Sequence, residues 1–348
     1  MQNLIPELAR RGYRVDLLKV RRHGPNLENP PDGVRIIDLG SRHTYTCLPG
    51  VVRYLRAERP DVMLSDKDRV NRTALAARAL ARTGTRLVLS SGTTISIDLA
   101  TRGRFERWLQ RFSMGRLYPF ADNVIVTSRG VADDMAEYTG LARDRIEVTP
   151  SPVVPDELLQ ASPPRPDHPW FAPGELPVIL GVGELGVRKD FATLLRAFAM
   201  VRSERRCRLM ILGRGRQREE LLALADELGV DDDFALPGFV ASPWPYMAHA
   251  SVFAFTSRWE GLGFALIEAL AMGTPVVSTD CPSGPAEILQ DGRYGPLIEI
   301  GDHESLAGHL CELMGNPPPA EQLRQAAMPY TVSASADAYL KALGLVER

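Results

Sequence analysis

The chain of 348 residues has only four cysteines, Cys47, Cys207, Cys281 and Cys311, scattered and without a CxxC pair. That scarcity excludes a small disulfide-stapled framework, and reduced thiols in a cytoplasm are expected, with no disulfide. Its six histidines form no HxH or HExxH pattern and sit at no metal-ligand spacing with cysteine, so no metal site is expected. Nowhere does the chain reach the run of about 18 apolar residues that marks a membrane-spanning helix. The opening "MQNLIPELARRGYRVDLL" lacks a charged segment leading into a long apolar run. A protein in solution, or lying on a surface, is expected. Net charge is nearly absent too: 41 basic and 43 acidic side chains leave −2. The balance hides a split, because residues 1–161 carry 25 basic and 19 acidic side chains (+6) and residues 162–348 carry 16 and 24 (−8). The two halves are expected to meet different partners. The basic excess is spread along several helices without a reader motif or aromatic platform, so nucleic acid is not among them.

What is present suits two packed domains: 45% hydrophobic and 24% charged residues. Leu4, Ile5, Leu8 and Ala9 recur at helical spacing, Gly12 ends that helix, and "YRVDLLKV" follows as a strand. The chain thus opens inside a helix. In a doubly wound fold a central strand precedes this helix, so a strand is expected upstream of Met1, and a start codon assigned too late accounts for its absence. Strands then alternate with helices: "VRIIDL", "DVMLS", "RLVLSS" and "NVIVTS" between helical runs such as "NRTALAARALARTG" and "GVADDMAEYTG". This alternation predicts a parallel sheet. "ASPPRPDHPWFAPGELP" places six prolines between Pro163 and Pro177 and reads as a linker. The expected division is a first Rossmann-like domain over 1–161, a linker over 162–177 and a second Rossmann-like domain over 178–330. A C-terminal helix over 331–348 is expected to pack back on the first domain. Two such domains facing each other make a cleft for a ligand.

Strand-end loops of the second half are glycine-rich: "GVGELGVRKD", "LGRGRQ" and "EGLGF". Glycine lets backbone approach a ligand, and a helix N-terminus offers N–H groups to phosphate, so a diphosphate is expected here. Arg188 and Lys189 add positive charge beside the first loop, though a solvated basic pair has the same spacing. Glu260 precedes a helix and Glu268 lies one to two turns into it. Both are expected to face the cleft and accept hydrogen bonds from sugar or ribose hydroxyls. A dipole-favoured Glu260 and a solvated Glu268 are the plain alternatives, but Glu268 sits between "ALI" and "ALAM", where a carboxylate needs a partner.

These segments resemble a known family. "EGLGFALIE" is similar to the E-x7-E signature of retaining glycosyltransferases of the GT-B fold, the large family 4 group. "VGELGVRKDFATLLRAFA", "LGRGRQREEL", "MGTPVVSTDCPSGPAEIL" and "DGRYGPLIEIGD" follow it in order, and Val131-Ala132-Asp133 after "VTSRG" matches its first domain. The resemblance implies a nucleotide-sugar donor, with UDP favoured, held without a metal or other cofactor. It assigns Lys189 to the donor diphosphate, with Arg188 beside it, and Glu260 to the sugar hydroxyls. The Gly261, Leu262, Gly263 and Phe264 backbone would meet sugar and phosphate, Gly183 and Gly213 would line the donor loops, and Glu268 would hold the ribose. It further implies transfer of a hexose or N-acetylhexosamine to a glycan or lipid-linked acceptor, as in polysaccharide biosynthesis, in the cytoplasm at the inner face of the membrane. Retention then rests on stabilising the leaving diphosphate by positioned charge.

The chain departs from the family pattern where Glu184 replaces an arginine, where Gly92 replaces a histidine, and in the opening strand. Arg188 is expected to reach the same phosphates. A catalytically silent sugar-nucleotide-binding paralogue and a sugar-nucleotide epimerase are the alternatives. His249, before "ASVFAF", is expected to be structural. "RGRFERWLQRFSMGRLYPF" spaces Phe105, Trp108, Leu109 and Phe112 at helical intervals among Arg102, Arg104, Arg107, Arg111 and Arg116. Such a helix suits an anionic membrane, but the favoured expectation is that its apolar stripe packs on the domain core.

Overall fold

A computed structural model of the chain describes residues 1–20, 27, 29–100, 102–160 and 162–346. Residue 161, the expected end of the first domain, and residues 347–348 lie outside these. The chain forms two compact units, Met1–Pro152 with Thr331–Arg348, and Val153–Tyr330.

The first unit runs α1 (Leu4–Arg10), β1 (Val15–Lys19), β2 (Val34–Asp38), α2 (Leu48–Glu58), β3 (Val62–Asp66), α3 (Asp68–Ala81), β4 (Arg86–Ser91), α4 (Ile95–Asp98), α5 (Arg104–Leu117), β5 (Asn123–Val126), α6 (Arg129–Thr139) and β6 (Ile146–Val148). Local chemistry sets the boundaries. Ser128 caps α6 by accepting from the Val131 N–H, and Gly140 ends it in the left-handed conformation that glycine tolerates. Strands β3 to β6 form one parallel sheet, whereas among the described residues β1 pairs only with β2, in another.

The second unit runs β7 (Val178–Val182), α7 (Phe191–Glu204), β8 (Arg208–Leu212), α8 (Arg218–Glu227), β9 (Phe234–Gly238), α9 (Trp244–His249), β10 (Val252–Phe255), α10 (Phe264–Ala271), β11 (Val276–Thr279), α11 (Pro285–Ile288), β12 (Leu297–Ile298), α12 (His303–Gly315) and α13 (Ala320–Ala327). Its strands make one parallel six-stranded sheet, ordered β12-β11-β10-β7-β8-β9. Helices cover both faces, so β7, β8, β10 and β11 read as apolar runs rather than alternating ones. Leu180, Phe253 and Phe255 enter one core with Leu266 and Ile267; Ile179, Val252 and Ala254 enter the other with Leu194 and Phe198. Because the strands are parallel, the loops after β7, β8, β10 and β11 all leave at the carboxyl edge. The chain then returns to the first unit in α14 (Val332–Leu343), where Tyr339, Leu340 and Leu343 pack with Leu4 and Leu8 of α1.

Two expectations need correction. The chain enters the second unit at Val153, ahead of the proline-rich stretch, and that stretch is built into the unit rather than strung outside it. Phe171 is buried, meeting Tyr246 edge-on at 5.5 Å, and the Arg208 guanidinium lies 5.1 Å over the Trp170 ring. Nor does the α5 stripe pack inward. Phe105 is 73% exposed, Trp108 58% and Phe112 50%, their rings stacked in series at 5.9 and 5.6 Å. The reason lies at Gly115, whose missing Cβ leaves the Thr139 carbonyl only 2.3 Å from that position. This close approach to the end of α6 turns Ser113 and Met114 inward and the aromatic face outward.

Candidate functional site

Strands β7 and β10 are hydrogen-bonded neighbours, so the loops that follow them run side by side. Thr256 Oγ1 donates to the Lys189 carbonyl at 2.8 Å, and the Arg258 N–H donates to the Arg188 carbonyl at 2.7 Å. Arg258 Nη1 also reaches Asp190 at 3.0 Å. These contacts hold Arg188 and Lys189 against Glu260. Lys189 Nζ lies 2.6 Å from Glu260 Oε1, Arg188 Nη1 lies 2.7 Å from Oε2, and Ser257 Oγ donates to Oε1 at 2.8 Å. Glu260 is 7% exposed and Lys189 8%.

Burial pulls the Lys189 ammonium below the usual lysine range, while the Glu260 charge opposes that loss. The Lys189 ammonium also sits 4.5 Å over the Phe255 ring. Within this trio two cations share one carboxylate, and one positive charge is left over. With Lys189 and Glu260 buried and Arg188 half-exposed, such an excess favours an anion.

Glycine makes the loops fit one another. A Cβ at Gly183 would stand 2.8 Å from Lys189 Cε, one at Gly213 would stand 1.8 Å from the Gly183 carbonyl oxygen, and one at Gly284 would stand 1.8 Å from that of Leu262. Gly183 and Gly213 thus serve the packing of the loops after β7 and β8 and of the Lys189 stem. Gly261 and Gly263 flank Leu262, whose side chain is buried in the core; Gly263 has a left-handed φ of 104°, and Phe264 is 54% exposed where α10 begins. No side chain caps α10.

Glu268 sits on α10 apart from the trio, accepting a hydrogen bond from Trp244 Nε1 at 3.2 Å. Burial raises its carboxyl above the usual range and the indole N–H opposes the rise. Glu184 is exposed with no partner among the described residues. Arg188, expected to compensate for it, points its Nη1 at Glu260. In the first unit a Cβ on Gly92 meets Thr127 Cγ2 at 3.3 Å, so a larger side chain there would crowd that threonine. His249 Nδ1 pairs with the Pro245 carbonyl at 2.9 Å, a structural contact. Among the described residues no three His, Cys, Asp or Glu side chains are grouped to hold a metal.

Sequence reasoning missed Trp244, Ser257 and the Asp190–Arg258 pair. An aromatic residue held between Pro243 and Pro245, at the first position of the helix after β9, is the signal that would have found Trp244.

Comparisons with known proteins agree with this architecture. Residues 1–152 match the family model described as "Glycosyl transferase 4-like domain", and residues 176–316 match "Glycosyl transferases group 1". The chain belongs to this glycosyltransferase family. It is 32% identical over 243 residues to an N-acetylgalactosamine-N,N'-diacetylbacillosaminyl-diphospho-undecaprenol 4-alpha-N-acetylgalactosaminyltransferase of Campylobacter jejuni subsp. jejuni, covering 69% of this chain and 63% of that one. The next two curated relatives are covered over 41% and 43% of their lengths. Among solved structures, the lipopolysaccharide outer core galactosyltransferase WaaB, apo form, superposes with a TM-score of 0.69 at 18% identity, covering 90% of this chain and 85% of that one. Anabaena HepE in complex with UDP gives 0.74 at 18% identity, covering 90% and 86%. The fold is therefore GT-B, an α/β architecture of Rossmann-like units.

Proposed function

We propose that the protein is a retaining glycosyltransferase that moves a hexose or N-acetylhexosamine from a UDP-sugar to a glycan or lipid-linked acceptor. One observation carries the reading: buried Lys189 and Glu260 with the half-exposed Arg188, a trio with one positive charge in excess, at the carboxyl edge of a parallel sheet. When the glycosidic bond to the diphosphate breaks, negative charge grows on the leaving oxygen. Lys189 and Arg188 stand ready to offset it without moving, which is where fixed charge lowers a barrier most. Glu260 then trades part of its hold on the cations for sugar hydroxyls, and Glu268 accepts from the ribose. This chemistry asks for no metal.

The Campylobacter relative's name specifies an α linkage and a diphospho-undecaprenol acceptor, and HepE was solved with UDP and with UDP-glucose. Both support the donor and acceptor classes proposed. An acceptor on a lipid places the enzyme in the cytoplasm at the inner membrane face, and the exposed aromatic and arginine face of α5 supplies the contact. A second reading, a silent sugar-nucleotide-binding paralogue, draws on Glu184 and Gly92.

The test offers the purified chain a panel of UDP-sugars, with and without a lipid-diphosphate acceptor and with a chelator present. UDP release that requires acceptor, with an α-anomeric product, is the expected outcome. UDP binding without turnover would favour the silent paralogue, and free epimerised sugar would replace the reading with an epimerase.

A further inference from the structure

Trp244 serves none of the roles assigned so far, yet it is the only side chain among the described residues that hydrogen-bonds Glu268. Its backbone is tightly held. Pro243 and Pro245 fix φ on either side of it. The Met247 N–H donates to the Pro243 carbonyl at 3.0 Å, Thr274 Oγ1 donates to the Met247 carbonyl at 2.6 Å, and Tyr246 packs edge-on against buried Phe171. Half-buried, the Trp244 ring packs against the same apolar core as Leu266, Ile267 and Ala269, the α10 neighbours of Glu268. The backbone of α9 and the core shared with α10 therefore hold the indole N–H toward Glu268.

From this geometry we infer that Trp244 is a positioning residue: its N–H fixes the Glu268 carboxylate so that the second oxygen is presented to a ribose diol. This rests on the reading that Glu268 binds ribose. A carboxylate with several rotamers must be ordered before it can accept two hydroxyls, and a rigid donor on one oxygen supplies that order in advance. Indole suits the task because it donates and cannot accept, so it leaves the carboxylate's remaining acceptor sites to the ligand.

The same bond bears on pH. Burial raises the Glu268 carboxyl and the indole opposes that rise. Only the ionised form accepts from both hydroxyls, so affinity is full at high pH and is lost as pH falls through the raised value. Removing the N–H moves that loss to higher pH.

Binding of UDP and of 2′,3′-dideoxy-UDP to wild type, Trp244→Phe and Glu268→Gln tests the inference by calorimetry. Trp244→Phe should weaken UDP binding by about tenfold, the value of one hydrogen bond to a charged group. It should leave dideoxy-UDP binding at the wild-type value and shift the acid limb of the UDP profile upward. Equal weakening of both ligands, or an unshifted acid limb, would mean that Trp244 acts by packing alone and would overturn the inference. Should Glu268→Gln bind UDP as wild type does, the ribose reading itself fails, a result distinguishable from failure of Trp244 alone.

Discussion

The two units use one construction rule with different completeness. In the second unit β7 and β8 are flanked on both edges, and the interior strands are almost wholly buried. In the first, β1 bonds only to β2 and β3 only to β4 among the described residues, and nearly all of their side chains are half-exposed. Val15 of β1 and Leu64 of β3 nonetheless pack on the same α1 and α14 cluster, and Leu18 and Met63 on the same α2 cluster. Shared helices, not a shared ladder, hold those two strands in register. The difference separates roles: a stiff, fully paired sheet can hold a buried charge cluster, whereas the looser unit presents an exposed aromatic face.

The largest expected effect tests the stiff side. Lys189→Ala should lower turnover by about 10²-fold to 10³-fold, as loss of one fixed electrostatic donor does elsewhere. Glu260 keeps Arg188 and Ser257 as partners, so the variant should stay folded, with an unchanged far-ultraviolet circular dichroism spectrum. Turnover within a few-fold of wild type would remove Lys189 from the site.

Core truncation sharpens the comparison directly. Ile179→Ala, fully buried in β7, should cost about 2–5 kcal/mol in chemical denaturation. Val62→Ala, at the open edge of β3, should cost about 1 kcal/mol because little apolar area is lost. Similar costs at both positions would mean that the β3 edge is as well packed as the β7 interior.

The exposed face of the first unit gives the next effect. Trp108→Ser combined with Phe105→Ser should reduce co-flotation with vesicles of anionic lipid by about tenfold or more, from the apolar burial lost. Binding to neutral vesicles should be weak before and after. If the double variant floats like wild type, α5 is not the contact.

These cases also mark how far the sequence could be read. Alternating short apolar runs and helices announce parallel sheets, and glycines at strand ends locate Lys189, Arg188 and Glu260, because each pattern is local. Helices α12 and α13 escape a reading keyed to alternation, since no strand separates them. The outward turn of Phe105, Trp108 and Phe112 is illegible for a different reason. Periodicity shows that α5 has an apolar face, but which face turns inward is set by the approach of Gly115 to Thr139, across a gap in sequence that no local pattern spans. The Trp244 bond to Glu268 is long-range in the same sense. Prolines mislead between Pro163 and Pro177, where the rigid backbone that breaks helices also lets Trp170 and Phe171 dock.

The smallest effect compares the units through a matched pair of thiols. Cys47 in the first unit is 4% exposed and Cys281 in the second 3%, so static access does not separate them. Burial raises both thiols, Cys281 to about 12, with the nearby Glu260 charge adding to the rise. Neither reacts as it stands in the fold, and labelling must pass through local opening, after which each thiol has the reactivity of an exposed one. The rates of iodoacetamide modification at pH 8 therefore compare opening free energies, and the folded-state thiol values drop out. If the interrupted sheet opens about 1.4 kcal/mol more readily, Cys47 is alkylated about tenfold faster. Glu260→Gln, which strips Lys189 and Arg188 of their shared carboxylate, should ease opening and raise the Cys281 rate. Equal rates at Cys47 and Cys281 would show that the helices shared by β1 and β3 hold the first unit as firmly as a continuous ladder holds the second.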